Sequence, residues 1–373
     1  MSTVGVPLGE LMLAKGRSID PRKHPNEKFE LFSIPAFDAG APEIVCGSQV
    51  GSSKQVLERH DVLLSKIVPH IRRSWVVEPK SECRAVGSSE WIVFRSEHFE
   101  PKYLRHVLTS DRFHQEFMRT VAGVGGSLLR ARPAYVAEIE IPLPPIDEQR
   151  RIAAVLDAAE ALWAKRSEAL AKLETLIQAV FVDLFGDSRQ PSAKTVPLAD
   201  LAEIVMGQSP PGDTYNESGI GVPLLNGPSE FGDKHPVPVQ WTTSPTRMSR
   251  EGDILFCVRG ATAGRLNWAD ADYCLGRGLA AIRAEPSHRA FLFRVLDAHY
   301  VRFQSSGVGS TFINIGKSDL HGVPVPMAST SAVLEYARIY SALSEQRTAL
   351  NVSLAKIDEL YLSLQQRAFR GEL

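Results

Sequence analysis

The sequence predicts an α+β chain: two similar mixed α/β domains, related by a pseudo-two-fold, with two long helices that pair as a coiled coil. Three observations predict it. The sequence repeats itself at about half its length. Each half ends in a long stretch of heptad-spaced apolar residues. The rest alternates short β-rich runs with Gly, Pro and Ser loops.

The repeat is carried by four strings in the same order. Val6-Pro7-Leu8-Gly9-Glu10-Leu11 returns as Val196-Pro197-Leu198-Ala199-Asp200-Leu201, and Asp61-Val62-Leu63-Leu64 as Asp253-Ile254-Leu255-Phe256. Gly123-Val124-Gly125-Gly126-Ser127 is echoed by Gly307-Val308-Gly309-Ser310, and Ile141-Pro142-Leu143-Pro144 by Val323-Pro324-Val325-Pro326. Two similar domains in one chain follow from a repeat of this size. The 373 residues have room for both, with helices besides. The expected division is a first domain over 1–145, a helix over 146–187, a second domain over 188–328 and a second helix over 329–373.

Residues 147–185 contain neither proline nor glycine. Ile152, Val155, Ala159, Leu162, Ala169, Leu173, Leu176 and Val180 follow alternating spacings of 3 and 4, broken only at Arg166. Leu156, Trp163, Leu170, Ile177 and Leu184 widen the stripe. Pro144-Pro145 stops the preceding strand, Asp147 is the expected N-cap, and Gly186 ends the helix. The second stretch places Tyr336, Tyr340, Leu343, Leu350, Leu354, Ile357, Tyr361 and Leu364 on the same pattern, interrupted at Arg347. A helix of about 36 residues is about 54 Å long. Neither is apolar all round, so each needs a partner along its seam, and the other helix is the obvious one. Within the domains, Asp61–Val68, Trp91–Phe94 and Asp253–Arg259 read as strands. One amphipathic helix precedes each Gly-Ser loop, running from Tyr103 to Phe117 and from Phe291 to Phe303.

Composition narrows function by exclusion. Hydrophobic residues make up 44% and the net charge is −1. No segment is strongly basic, so nucleic-acid contact must come from a local face and not from bulk charge. No stretch reads as a membrane span or a signal peptide. Cys46, Cys83, Cys257 and Cys274 lack CxxC spacing, and free thiols in a reducing cytoplasm are expected. There is no P-loop, HExxH or GxSxG. Gly123-Val124-Gly125-Gly126 lacks the strand and helix of a dinucleotide site, and Ser209-Pro210-Pro211 lacks the Asn or Asp of an amino-methyltransferase loop. Histidines are dispersed, and no metal site is expected. Asp253 with Glu251 reads as the turn before a strand.

What the domains offer is polar, Gly-rich loops. The first supplies Lys66, Arg72 and Arg73 after its Asp-x-Leu strand, and Arg130 and Arg132 after its Gly-Ser loop. The second supplies Gln208 in Gly207–Gly212, Arg259 and Arg265 around Gly260-Ala261-Thr262-Ala263-Gly264, and Arg277 between two glycines. Thr311, Asn314 and Lys317 follow its Gly-Ser loop. Glycine lets the backbone approach a ligand, and Arg, Gln and Asn carry the forked groups that read base edges. Singly, each loop is an ordinary solvated turn. Equivalent placement in both halves is what favours a binding role.

The order of domain, long helix, domain, long helix resembles the specificity subunit of type I restriction–modification systems. Ile141-Pro142-Leu143-Pro144-Pro145-Ile146-Asp147-Glu148-Gln149-Arg150-Arg151-Ile152 looks like the family's lead-in to its central helix. The stretch from Ser363 to Leu373 looks like its C-terminus, and Gly207-Gln208-Ser209-Pro210-Pro211 like the opening of one type of target-recognition domain. The second half departs from the pattern, having Pro326-Met327-Ala328-Ser329 in place of the Pro-Pro…Glu-Gln lead-in. The resemblance implies two target-recognition domains, each reading part of a split asymmetric site. It implies an antiparallel helix pair that sets their separation and docks two methyltransferase subunits. Those partners bind S-adenosylmethionine, ATP-driven motor nuclease subunits join them, and this chain itself needs no cofactor and catalyses nothing. Three other readings stay open at this point: a related subunit of a methylation-only or defence assembly, a coiled-coil scaffold that binds protein, and an enzyme with an unrecognised site.

Overall fold

The computed structural model describes residues 5–122, 129–186, 194–305 and 313–373. The chain forms two compact units. One runs to Ser167 and adds Val352–Leu373; the other spans Glu168–Asn351. Along the chain come β1 (Gly5–Pro7), β2 (Val62–Ser65), β3 (Ser74–Val76), β4 (Trp91–Phe94), α1 (Pro101–Thr109), α2 (Asp111–Arg119), β5 (Glu140–Pro142) and α3 (Ile146–Phe185). Then follow β6 (Thr195–Pro197), β7 (Ala202–Met206), β8 (Ile254–Cys257), β9 (Leu266–Trp268), β10 (Leu279–Ala284), α4 (Pro286–Ala298), α5 (Tyr300–Ser305), β11 (Pro324–Pro326) and α6 (Thr330–Arg370). Each unit carries a further sheet besides: five strands within Ser18–Gly87 in the first, four within Tyr215–Leu275 in the second.

The two units repeat one plan. In the first, β1 pairs antiparallel with β5, Val6 opposite Ile141. In the second, β6 pairs antiparallel with β11, Val196 opposite Val325. The strand β2 lies between β3 and β4, and β8 lies between β10 and β9. All four residues of β2 are buried, as are all four of β8. Alternate side chains enter different clusters: Val62 and Leu64 on one side and Leu63 on the other, Ile254 and Phe256 on one side and Leu255 and Cys257 on the other. Both faces are covered, which is why these strands read as unbroken apolar runs.

An aspartate opens each buried strand. The Asp61 carboxylate accepts from the Glu58 N–H at 2.8 Å and from Arg95 Nε and Nη2, both at 2.6 Å. Asp253 accepts from the Arg250 N–H at 2.8 Å and from Arg283 Nη2 at 2.9 Å. Both aspartates are 1% exposed. The expected turn before the strand is there, and its carboxylate also closes an ion pair.

The expected single amphipathic helix of each domain is a pair. Ser110 stops α1 and caps α2, its Oγ accepting from the Phe113 N–H at 3.2 Å. His299 separates α4 from α5. At α3, Asp147 falls inside the first turn, because Ile146 is already helical, so it is not the N-cap. Gly186 ends α3 at φ +74, its N–H reaching the Val182 carbonyl at 2.8 Å. Helix α6 begins at Thr330, and Ser329 Oγ accepts from the Ala332 N–H at 3.3 Å.

Within the first unit, Ile152, Ala153 and Leu156 of α3 pack with Ala368 and Phe369 of α6 against Tyr103, Val107 and Phe113. Tyr103 meets Phe369 edge-on at 5.9 Å. Within the second, Phe181 of α3 packs with Val333 and Tyr336 of α6 against Phe291 and Val295. Phe185 meets Phe291 at 4.6 Å. The α6 seam follows its expected line, with Tyr336 and Ile357 buried and Tyr340, Leu343, Leu350, Leu354, Tyr361 and Leu364 half-buried. The α3 seam is rotated from expectation. Its buried line is Ile152, Leu156, Ala159, Leu173, Ile177 and Phe181, while Leu162 and Leu176 are over 40% exposed. A seven-residue pattern drifts about 20° per heptad on a straight helix, and the ends of α3 are held by domain helices as well as by α6.

The aspartate pair makes a directional prediction. Arg95→Ala strands a buried carboxylate and should cost about 3–5 kcal/mol. Asp61→Ala leaves an arginine that is 30% exposed and able to reach water; it should cost about 1–3 kcal/mol. Urea unfolding of the two variants gives the order. A larger loss from Asp61→Ala would assign the energy to the backbone cap instead of the ion pair.

Candidate nucleic-acid interface

The strand anchored by each aspartate ends in a polar mouth. In the first unit Leu64 pairs with Ser74 and Ser65 with Trp91. The chain leaving β2 and the chains entering β3 and β4 therefore meet at one end of the sheet. The Lys66 N–H donates to the Glu90 carbonyl at 2.9 Å, and the Lys66 carbonyl accepts from the Ala131 N–H at 2.8 Å. Ile67 and Arg130 form an isolated bridge. This brings Lys66 and Arg130 together, 64 residues apart in sequence. Arg130 Nη2 lies 3.1 Å from Glu90 Oε1, and its side chain is 63% exposed. Arg132 follows, with its guanidinium 5.5 Å from the Tyr135 ring centre.

Two other arginines expected here are committed elsewhere. Arg72 donates to the Thr109 carbonyl at 3.1 Å and pairs with Asp111 at 2.6 Å. Arg73 is buried, its Nε and Nη2 bound to Asp38 at 2.7 and 2.9 Å. Any ligand reaching Arg73 would have to displace that carboxylate, so this arginine is part of the framework.

In the second unit Met206 pairs with Ala280 and Cys257 with Leu279, so the ends of β7 and β8 meet the start of β10. A Cβ at Gly207 would collide with the carbonyls of Gly276, Leu279 and Leu275; only glycine fits there. That close approach lets the Gln208 N–H reach the Leu275 carbonyl at 2.8 Å and leaves the Gln208 side chain exposed. Arg277 places its N–H and its Nε 3.3 Å from Ser209 Oγ. Arg259 and Asn314 form an isolated bridge, and Arg259 Nε donates to Asn314 Oδ1 at 2.9 Å. Lys317 is exposed at the start of the short helix Lys317–His321. Arg265 is at the same end, but its Nη1 and Nη2 donate to the carbonyls of Pro228 and Phe231 at 3.2 and 3.3 Å. It fastens a loop. Thr311 lies outside the described residues, as do the loops Gly123–Ser127 and Gly307–Ser310.

The two mouths are equivalent position by position. The Ile67–Arg130 bridge corresponds to the Arg259–Asn314 bridge at offsets of 192 and 184, the offsets of the Asp-x-Leu and Gly-Ser strings. The Lys66-to-Glu90 bond corresponds to the bond from the Val258 N–H to the Gly278 carbonyl at 2.9 Å. Sequence reasoning missed Glu90 and Ser209. Glu90 stands just before Trp91, as Gly278 stands just before Leu279, so extending the repeat alignment one strand further would have found it.

One cluster joins potential metal ligands. His106 Nε2 is 2.8 Å from Asp157 Oδ1, and Glu160 lies beside them. Burial pushes the His106 pKa below its usual 6.5. Arg105 Nη2 is 2.6 Å from Glu160 Oε2 and 3.0 Å from His106 Nε2, and Lys102 Nζ is 2.9 Å from Asp157. Tyr361 OH is 3.1 Å from His106 Nδ1. Two resident cations already neutralise the carboxylates, so the donor set does not fit a divalent ion. It ties α1, α3 and α6 together inside the first unit.

The two units repeat one fold, each with a polar mouth that carries arginine side chains, and this is the build of a two-domain repeat protein. The family model described as "Type I restriction modification DNA specificity domain" matches residues 192–357. The chain is 30% identical over 288 residues to a Methanocaldococcus jannaschii protein named for the MjaX type I restriction enzyme specificity subunit, a match covering 72% of this chain and 67% of that one. A chain from a structure of the complex assembly and conformational transition of a type I restriction–modification system is 30% identical, with a TM-score of 0.57 over 99% of this chain and 98% of that one. The S subunit from M. genitalium shares the fold at 13% identity, with a TM-score of 0.65 over 98% of this chain and 96% of that one. The chain belongs to the type I restriction–modification specificity subunit family, the non-catalytic DNA-recognition subunits of these systems.

The polar cluster around His106 gives a simple test. A metal bound at a hundredfold excess over its Kd would add about 2.7 kcal/mol of stability. Thermal melting with added Zn2+ or Mn2+, or with a chelator, should leave the midpoint where it is. A rise with metal that His106→Ala abolishes would restore a metal site.

Proposed function

We propose that each domain reads one half of a bipartite asymmetric DNA site, and that the paired helices hold the two reading domains apart. The domains are taken as 1–145 and 188–328, and the helices as 146–187 and 329–373. In this reading the helices run antiparallel about a pseudo-two-fold and dock two methyltransferase subunits, with motor nuclease subunits joining the assembly. The observation that carries the reading is the equivalence of the two polar mouths, each at the far end of the aspartate-anchored strand.

The reading groups are Lys66, Arg130 and Arg132 in the first domain. In the second they are Gln208, Arg259, Arg277, Asn314 and Lys317; Thr311, named from the sequence, lies outside the described residues. Arg72, Arg73 and Arg265 brace these loops. Arginine pairs two donors with guanine O6 and N7, and Gln or Asn pairs with adenine N6 and N7. Base contacts specify, whereas phosphate contacts supply most of the salt-dependent affinity. A net charge of −1 therefore suits a subunit whose partners neutralise the backbone.

Spacer length tests this architecture. Adding one heptad to both helices at matched positions preserves their seam. It lengthens the pair by about 10 Å at roughly 1.5 Å per residue. At about 3.4 Å per base pair, the non-specific spacer should grow by about three base pairs. Methylation mapping with the reconstituted complex reads the result: both half-sites unchanged, spacer longer. Retained activity on the original spacer would overturn the proposed role of the helices.

A further inference from the structure

The arginines at the two mouths are held differently, and the difference separates those free to read from those that are not. Arg73 and Arg265 each place two guanidinium nitrogens on protein oxygens, Arg73 in a buried pair, and Arg72 has its Nη1 shared between the Thr109 carbonyl and the Asp111 carboxylate. Arg130 and Arg259 each have one guanidinium nitrogen fixed by one acceptor. For Arg130 it is Nη2, on Glu90 Oε1 at 3.1 Å. For Arg259 it is Nε, on Asn314 Oδ1 at 2.9 Å. A guanidinium has five N–H donors. Holding one of them fixes the plane of the group while leaving the others for a ligand.

Both of these arginines sit on the isolated bridge that the two units share. In the first unit the arginine is on the chain that follows the Gly-Ser loop, opposite Ile67; in the second it is on the chain that follows the Asp-anchored strand, opposite Asn314. The backbone seat is the same and the arginine occupies opposite sides of it. The acceptors also differ. Glu90 is a carboxylate whose Oε2 is buried and has no hydrogen-bond partner among the described residues. Asn314 is a neutral amide, and its NH2 can itself donate to a base.

We propose that this repeated bridge is the specificity-determining seat of each domain, with Arg130 and Arg259 reading one base pair each and Glu90 and Asn314 acting as their positioning residues. The inference rests on the reading of bipartite DNA recognition given above. The ligand chemistry is a guanine edge, with O6 and N7 both acceptors, facing the unbound nitrogens of each fork. Both seats then read a guanine, and what differs is the brace that orients each fork, an anion at Arg130 and a neutral amide at Arg259.

The test uses the full-length chain in complex with its methyltransferase subunits, methylating a DNA library randomised through both half-sites. Glu90→Gln keeps the shape of the side chain but removes its charge. Arg130→Lys keeps the charge but removes the fork. Both should relax the same single position of one half-site, by about fivefold to a hundredfold in discrimination, and leave the other half-site alone. Asn314→Ala and Arg259→Lys should do the same to one position of the other half-site. Complex assembly and thermal midpoint, measured on each variant, exclude misfolding. Four outcomes overturn the proposal. Arg130→Lys relaxing a position that Glu90→Gln leaves intact removes the positioning role. Arg259→Lys relaxing a position that Asn314→Ala leaves intact does the same in the second domain. Equal loss on every sequence makes the arginines phosphate contacts. Relaxation by Lys66→Ala or Arg277→Ala but by none of the four seat variants moves the seat elsewhere, and in these last two cases the bipartite reading still stands. That reading itself fails only if the unaltered complex methylates no bipartite motif.

Discussion

A carboxylate withdrawn from water must be paired, and in each half of this chain that requirement fixes the strand on which the mouth is built. Asp61 and Asp253 are 1% exposed, and each takes an arginine and a backbone N–H three residues upstream. The pairing sets where β2 and β8 begin. A strand rises about 3.3 Å per residue, so its far end is placed by its start and its register. Lys66 and Ile67 leave β2 there; Val258 and Arg259 leave β8 there. A one-residue slip would turn every side chain of a strand buried on both faces and would carry the mouth with it. Under the proposed reading, stability and recognition are tied to the same buried pair.

The second constraint is the need of two amphipathic helices for cover. Neither α3 nor α6 belongs to one unit: the division falls at Ser167 in the first and at Asn351 in the second. Within each unit the same aromatic device closes the core. Phe369 meets Tyr103 in one, and Phe185 meets Phe291 in the other. Aromatic rings bury large apolar areas and prefer edge-on or tilted contact, so two such pairs fasten helix segments to domain helices without a long interface. Residues 161–166 of α3 are all exposed. The buried positions of α3 lie on either side of that stretch, Ile152 to Ala159 in one unit and Leu173 to Phe181 in the other.

Much of this was legible in the sequence because repetition carries information that single motifs do not. Val6-Pro7, Asp61 and Ile141-Pro142 each have a partner in the second half, and the strands they mark pair as repeats. What was not legible depended on third bodies. A seven-residue spacing predicts Leu162 and Leu176 on the seam of α3, yet both are over 40% exposed, and the residues that pack with the domain helices are Ile152 and Leu156 in one unit and Phe181 in the other. Arg73 carries the same charge as Arg130 and sits in an equally polar loop. Only Asp38, 35 residues away, distinguishes a framework arginine from an exposed one. Glu90 was passed over because an isolated acidic residue before a strand has no local signature.

Under the proposed reading, the division between framework and seat bears on how one fold could serve two half-sites. The buried aspartates, the closing strand pairs and the aromatic contacts are the same in both units. The bridge keeps its backbone and changes its side chains: Ile67 and Arg130 in one, Arg259 and Asn314 in the other. Changes at Arg130, Arg259 or Asn314, whose side chains are exposed, leave the buried pair and core untouched, and substitutions away from such features usually move stability by no more than about 0.5 kcal/mol. Under the proposed reading, specificity can then drift at a seat without endangering the fold. The same mounting that fixes the seat also limits it, since a bridge held by backbone bonds on both sides presents few side chains to few base pairs. Reading a longer half-site would require the other groups at the mouth, Lys66 and Arg132 in one unit and Gln208, Arg277 and Lys317 in the other, to reach base pairs that the bridge does not touch.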